Sequence, residues 1–140
     1  MPKENRLQDY PVNPKIKLSV LWASVTLCYL YGDYFELYVP GKVDGLIKGY
    51  NMLDSPVKLL AAGILLAIPA GMVCLNVLLR PSILRWLNII FGSFFTLIML
   101  LIAVTSLEAW LAFYVFLAIV ESILTALIIW HAWCWPRNAA

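Results

Sequence analysis

Ionisable side chains are scarce in this sequence. Lysine and arginine together number 10 and aspartate and glutamate 8, so 13% of the 140 residues are charged, against about 25% in a soluble domain. There is one histidine, and the three cysteines, Cys28, Cys74 and Cys134, form no Cys-x-x-Cys pair. Each shortage excludes something. A chain this poor in charge is neither a disordered tail nor a soluble enzyme domain. Three isolated cysteines do not make a disulfide scaffold or a thiol–quinone enzyme. His131 beside Cys134 offers two ligands where a zinc site needs four, and its neighbours Trp130 and Trp133 suit it to interfacial anchoring. No nucleophile elbow, phosphate loop or paired-histidine motif occurs, so the residues imply no metal and no cofactor. The net charge is only +2, with no basic stripe between aromatics, which leaves no footprint for nucleic acid. Residues 1–17 lack the apolar core and small-residue cleavage site of a leader, and the first apolar segment is expected to be a retained span.

What the sequence has is hydrocarbon. It is 63% hydrophobic with a mean hydropathy of +0.85, the composition of an integral membrane protein. A membrane helix needs roughly 20 apolar residues, and four such segments are present, over residues 16–39, 57–79, 83–106 and 110–133. They are continuously apolar rather than alternating, which excludes a barrel of strands. The expectation is one all-α domain over residues 1–140, an integral membrane four-helix bundle whose principal partner is the lipid bilayer. Pro40-Gly41 ends the first span, Arg80-Pro81 separates the second from the third, and Pro136 ends the fourth. Residues 40–56 form the one substantial loop. In the hairpin 105–108, Thr105 or Ser106 is positioned to cap the last helix. Pro69, in the middle of the second span, removes one ladder bond and predicts a kink.

Basic residues orient the spans. Lys3, Arg6, Lys15, Lys17, Arg80, Arg85 and Arg137 gather on one side, and Lys42, Lys48 and Lys58 on the other. The bias places both termini in the cytoplasm and the chain, multi-pass, in the inner (cytoplasmic) membrane. Trp86, Trp130, Trp133 and Trp135 then lie near the cytoplasmic interface, and Tyr38, Tyr50 and Trp110 near the outer one, as an aromatic belt.

Small residues recur at every fourth position on three spans: Ser24, Cys28 and Gly32; Gly63, Ala67 and Gly71; Ala118, Ser122 and Ala126. That spacing keeps them on one face, where backbones approach closely. The stripes serve either packing within one chain or the seam of a homo-oligomer.

Glu121 is the most informative side chain. It sits mid-span, where a charge costs about 2.5–3.5 kcal/mol on insertion scales, and no lysine or arginine shares its depth. It is therefore protonated, or binds a cation, or is reached by water. Thr96, Tyr29 and Thr26 lie at similar depth. On the first span Trp22, Thr26, Tyr29, Asp33 and Glu36 are spaced by four, three, four and three, and so share a face that leads to an acidic outer mouth. Alternatively Asp33 and Glu36 pair locally with the outer lysines.

The stretches Lys17-Leu-Ser-Val-Leu-Trp22, Tyr29-Leu-Tyr-Gly-Asp33 and Arg85-Trp-Leu-Asn-Ile-Ile90, residues 114–121 and Trp130-His-Ala-Trp-Cys-Trp135 together resemble a bacterial family of small four-span membrane proteins of unknown function, over nearly the whole chain. The resemblance implies the same architecture and an acid at the Asp33 and Glu121 positions, and it brings no activity. Two functions are compatible with these residues. One is a proton- or cation-coupled small transporter or conducting subunit, with Glu121, Asp33, Glu36, Tyr29, Thr26 and Thr96 along its path. The other is a non-enzymatic accessory protein that binds partner helices through its small-residue stripes. A third is a membrane enzyme acting on lipid or quinone with a carboxylate as acid or base, for which no second catalytic group of clear identity is present.

Overall fold

The structure, a computed structural model, describes residues 9–136. Lys3, Arg6 and Arg137, which entered the orientation argument, lie outside the described residues. The described residues are helical, with no strand among them. Helix α1 spans Pro14–Glu36, α2 Lys42–Ile47, α3 Pro56–Leu78, α4 Pro81–Thr105 and α5 Ala112–Trp133, with a short 3-10 turn over Ala109–Leu111.

Three of the four long helices open on a proline at their first position, where the missing N–H costs nothing and the fixed φ suits the helix. They consequently begin one or two residues earlier than the apolar runs at 16, 57 and 83. The Asn13 side chain caps α1 at 2.9 Å and Ser55 caps α3 at 3.3 Å. The expected cap on the last helix is absent. Thr105 is still within α4, and its hydroxyl donates back to the carbonyls of Leu101 and Ile102 at 2.8 and 3.3 Å. The chain instead enters α5 through the 3-10 turn, which has no side-chain cap. The loop over residues 40–56 also differs from expectation, because residues within it form α2, entered from Gly41 at φ +79° and left through Gly49 at φ +76°. Both conformations favour glycine.

The helices α3 and α4 and the stretch Ala109–Trp133 are long and apolar enough to cross a membrane. At 1.5 Å per residue a 23-residue helix is about 35 Å long, enough for a hydrocarbon layer of about 30 Å. Helix α1 has that length but falls short in apolarity, because tyrosines, hydroxyls and Asp33 interrupt its hydrocarbon. Side chains such as Leu60, Ile64, Leu97 and Leu101 are 60–68% exposed, an outer surface suited to lipid rather than water.

The long helices follow one another in the order α3, α1, α5, α4, and the ring closes only sparingly between α4 and α3. Leu18, Trp22, Val25, Met72, Phe95 and Ile128 form the core. Through it runs a chain of hydrogen bonds between fully buried side chains. Trp22 Nε1 on α1 donates to Asn88 Oδ1 on α4 at 2.7 Å, and Asn88 Nδ2 donates to Asn76 Oδ1 on α3 at 2.7 Å. The spare amide donors bond to Met72 and Leu84 carbonyls on their own helices. Lys15 adds a tie at the same end, donating to the carbonyls of Val77, in the last turn of α3, and of Leu79, just past its end, at 3.2 and 2.7 Å. Between α4 and α5, Gly92 lets the backbones come close, since a Cβ there would lie 2.9 Å from Ile129 Cγ1. One turn away the Thr96 and Thr125 hydroxyls meet at 2.6 Å.

Two outcomes follow for SDS-titration unfolding of the purified protein. Asn88→Leu orphans the Trp22 donor and the Asn76 acceptor and is expected to cost about 1–3 kcal/mol, with Trp22→Phe costing less. Gly92→Val is expected to lose a similar amount through the clash with Ile129, and Ile129→Ala should recover part of it. Equal stability of Asn88→Leu and the natural protein would show that the buried chain holds nothing together.

Candidate functional site

Pro69 is fully buried. It has no N–H to give the carbonyl of Leu65 one turn back. Leu65 lines a cavity of about 150 Å3 enclosed by α1, α3, α4 and α5. Its floor is formed by Phe95, Ala118 and Glu121, which are 2%, 2% and 3% exposed. Asp33 and Leu66, both exposed, mark its mouth. On the α4 side it is bounded by Ile98, Met99 and Ile102, so it occupies the gap where α3 and α4 part company beyond the Asn76–Asn88 bond.

The polar groups in this cavity are few. Glu121 is the tenth of the 22 residues of α5, and Ala118 and Thr125 occupy the adjacent turns of the same face. Its backbone carbonyl accepts from Thr125 Oγ1 at 2.9 Å, but among the described residues its carboxyl has no hydrogen-bond or ion-pair partner. The Tyr29 hydroxyl is buried and also without a partner. Tyr114 lines the same wall, held by Gly32, where an added Cβ would sit 3.4 Å from the Tyr114 ring. The Tyr29 and Phe95 rings lie 5.9 Å apart and 39° from coplanar. The result is an apolar chamber with three aromatic rings, a buried carboxyl at the bottom and a second carboxyl at the rim.

The residues singled out in the sequence divide on this geometry. Glu121, Asp33 and Tyr29 come together around the cavity, with Gly32 and Ala118 from the small-residue stripes. Three others stand apart from it. Glu36 is ion-paired with Lys42, as the local-pairing alternative has it. Thr26 donates to the Trp22 carbonyl of its own helix at 2.9 Å. Thr96 bonds to Gly92 and Thr125 at the α4–α5 seam. Trp22, counted in the polar stripe, is in the core.

The small-residue stripes divide as well. Ser24 is half-buried and bonded to its own helix, and Cys28 is half-buried. Gly63 and Ala67 are exposed, and a Cβ on Gly63 or Gly71 would meet nothing within 4 Å, so this face of α3 packs no helix of its own chain. On α5, Ala118 is buried, Ser122 half-buried and bonded to the Ala118 carbonyl, and Ala126 exposed. His131 Nδ1 meets the Leu127 carbonyl of its own helix at 2.8 Å.

Sequence reasoning missed Asn88 and the roles of Tyr114 and Phe95. Tyr114 precedes Glu121 by seven residues, two helical turns, and so shares its face. Asn76 and Asn88 flank the Arg80-Pro81 hairpin as buried amides in apolar runs, a visible signal of a pair across it. Phe95 carried no signal.

Dicyclohexylcarbodiimide, which attacks carboxyls in apolar surroundings, is expected to modify Glu121 in the purified protein several-fold faster than Glu36, read by peptide mass spectrometry. Ala118→Leu, which fills the floor of the cavity, should slow that reaction at Glu121. Faster labelling of the lysine-paired Glu36 would contradict the geometry.

No curated protein and no solved structure matches this sequence. The model of one family covers residues 6–140, nearly the whole chain. The protein accordingly belongs to DUF6326, a family of unknown function.

Proposed function

We propose that this is a four-span integral membrane protein, with α1 as the fourth span and both termini cytoplasmic, that binds and releases a proton or small cation at Glu121. In that reading it is a small proton- or cation-coupled transporter or conducting subunit of the inner (cytoplasmic) membrane. The observation that carries the reading is the Glu121 carboxyl, 3% exposed and without a partner at the floor of a cavity. A bare carboxylate so placed costs a few kcal/mol. A structural acid would be expected to have hydrogen-bonding neighbours, as Asn88 has. Asp33 at the rim is the second carboxyl of the path, and Tyr29 and Tyr114 line it. Four packed helices have little room for a pore of their own, so conduction in this reading requires an oligomer.

The outward face of Gly63, Ala67 and Gly71 supports a second reading, an accessory protein that seats a partner helix there. The two separate in one reconstitution. Glu121→Gln in proteoliposomes is expected to lower ion-driven or proton flux at least tenfold while helix content and SDS-unfolding midpoint stay within the range of the natural protein. Gly63→Leu should leave that flux intact. Flux undiminished by Glu121→Gln would sink the transport reading, and loss of association in Gly63→Leu would favour the accessory one.

A further inference from the structure

The chemistry of the cavity wall narrows what the Glu121 site can hold, an inference that rests on the binding reading above. A bare metal cation wants roughly six oxygens around it. The cavity has one carboxyl at its floor, Glu121, and one at its mouth, Asp33, with the phenols of Tyr29 and Tyr114 and the Leu65 carbonyl that Pro69 leaves without a ladder donor; these oxygens are spread from floor to mouth of a wall that is otherwise apolar. No three His, Cys, Asp or Glu side chains gather anywhere among the described residues. α3 contributes Leu65 and Leu66, and α4 contributes Phe95, Ile98, Met99 and Ile102, with no titratable group from either. An alkali ion entering here would lose more water than the walls replace.

An organic ammonium has the complementary make-up. Its charge is spread over apolar carbon, which aromatic faces attract and aliphatic side chains tolerate. Tyr29, Phe95 and Tyr114 supply aromatic rings to the wall and Glu121 the counter-charge. Size sets the upper limit. A cavity of about 150 Å3 holds one benzene-sized molecule, and tetramethylammonium is of that order, whereas tetrabutylammonium is far larger. We infer that the cavity between Glu121 and Asp33 is a binding site for a small organic ammonium no bulkier than a single ring, entering past Asp33 and held between the Tyr29, Phe95 and Tyr114 rings and the Glu121 carboxyl.

The test uses the full chain in lipid nanodiscs. Carbodiimide labelling of Glu121 is followed with tetramethylammonium chloride, tetrabutylammonium chloride or sodium chloride at equal ionic strength, and tetramethylammonium binding is titrated by calorimetry. Tetramethylammonium is expected to protect Glu121 at concentrations at least tenfold below sodium, and tetrabutylammonium not to protect. Glu121→Gln should weaken tetramethylammonium at least tenfold. Tyr29→Leu should weaken it about threefold or more, and Tyr29→Phe, which keeps the ring, should bind nearly as the natural protein does. Protection by sodium equal to that by tetramethylammonium would overturn the ammonium assignment and leave the ion-binding reading standing. Labelling of Glu121 that neither cation slows would overturn the ammonium assignment and the cation-binding reading, and labelling that is also insensitive to pH would overturn proton binding as well. Tetrabutylammonium protecting as well as tetramethylammonium would overturn the enclosed single-ring site.

Discussion

A polar side chain shut away from water has to find its partner inside the protein, and one amide satisfies that demand for three helices at once. Asn88 accepts from Trp22 on α1 and donates to Asn76 on α3, while standing on α4. Hydrocarbon packs as well against lipid as against protein, so apolar side chains alone would fix the helices weakly and in no particular register. The directional bonds through Asn88 set that register. They also join α3 to α4, whose packing is otherwise sparse. Lys15 on the Val77 and Leu79 carbonyls and Ser19 Oγ on the Val73 carbonyl hold α1 to α3 at the same end.

The other end of the α3–α4 gap shows the opposite condition. Beyond Asn76 and Asn88 the two helices part, and the space between them is the cavity around Glu121. The amides of Asn76 and Asn88 are bonded at one end, where the buried Arg85 Nε is the unpartnered exception, whereas at the other end the Glu121 carboxyl and the Tyr29 hydroxyl have no partner among the described residues. Unsatisfied groups at that depth cost free energy, and such groups concentrate where a protein binds something. Pro69 belongs to the same contrast. It is buried, and the ladder bond it lacks falls at Leu65, on the cavity wall.

The C-terminal end of α1 separates its two acids by reach. Glu36 comes within the range of Lys42, which the Pro40-Gly41 turn carries back over the helix end. Asp33, three residues earlier, stays at the cavity rim. Around them Tyr31 stacks on Phe35, Tyr34 meets Phe35 and Tyr38 edge to face, and Phe35 meets Phe113 on α5 edge to face, an aromatic collar at this end of the molecule. At the opposite end Arg85 lies over the rings of Trp86 and Trp133, 5.8 and 5.5 Å from their centres.

The four long helices were legible in the amino-acid order alone. Apolar runs of fixed length, interrupted by proline and glycine, leave little freedom about where helices begin and end, and the differences of one or two residues at Pro14, Pro56 and Pro81 come from the ease with which proline starts a helix. It also marked Glu121 and Asp33, because an acid in a hydrocarbon run is conspicuous whatever surrounds it. The helix α2 and the uncapped start of α5 were not legible, since both turn on backbone bonds that many side chains permit. Only the tertiary structure decided which neighbours each polar residue meets. Thr26 and Thr96 lie at a suitable depth, yet their hydroxyls bond to their own helices and to Thr125. Gly63 and Gly32 sit in similar stripes, yet one faces outward and the other the Tyr114 ring. Periodicity places a residue on a face of its helix, but which helix that face meets depends on rotation about the long axis, and here the partners of a buried asparagine tie α1, α3 and α4 in that respect, while close packing at Gly92 and the Thr96–Thr125 contact tie α5 to α4.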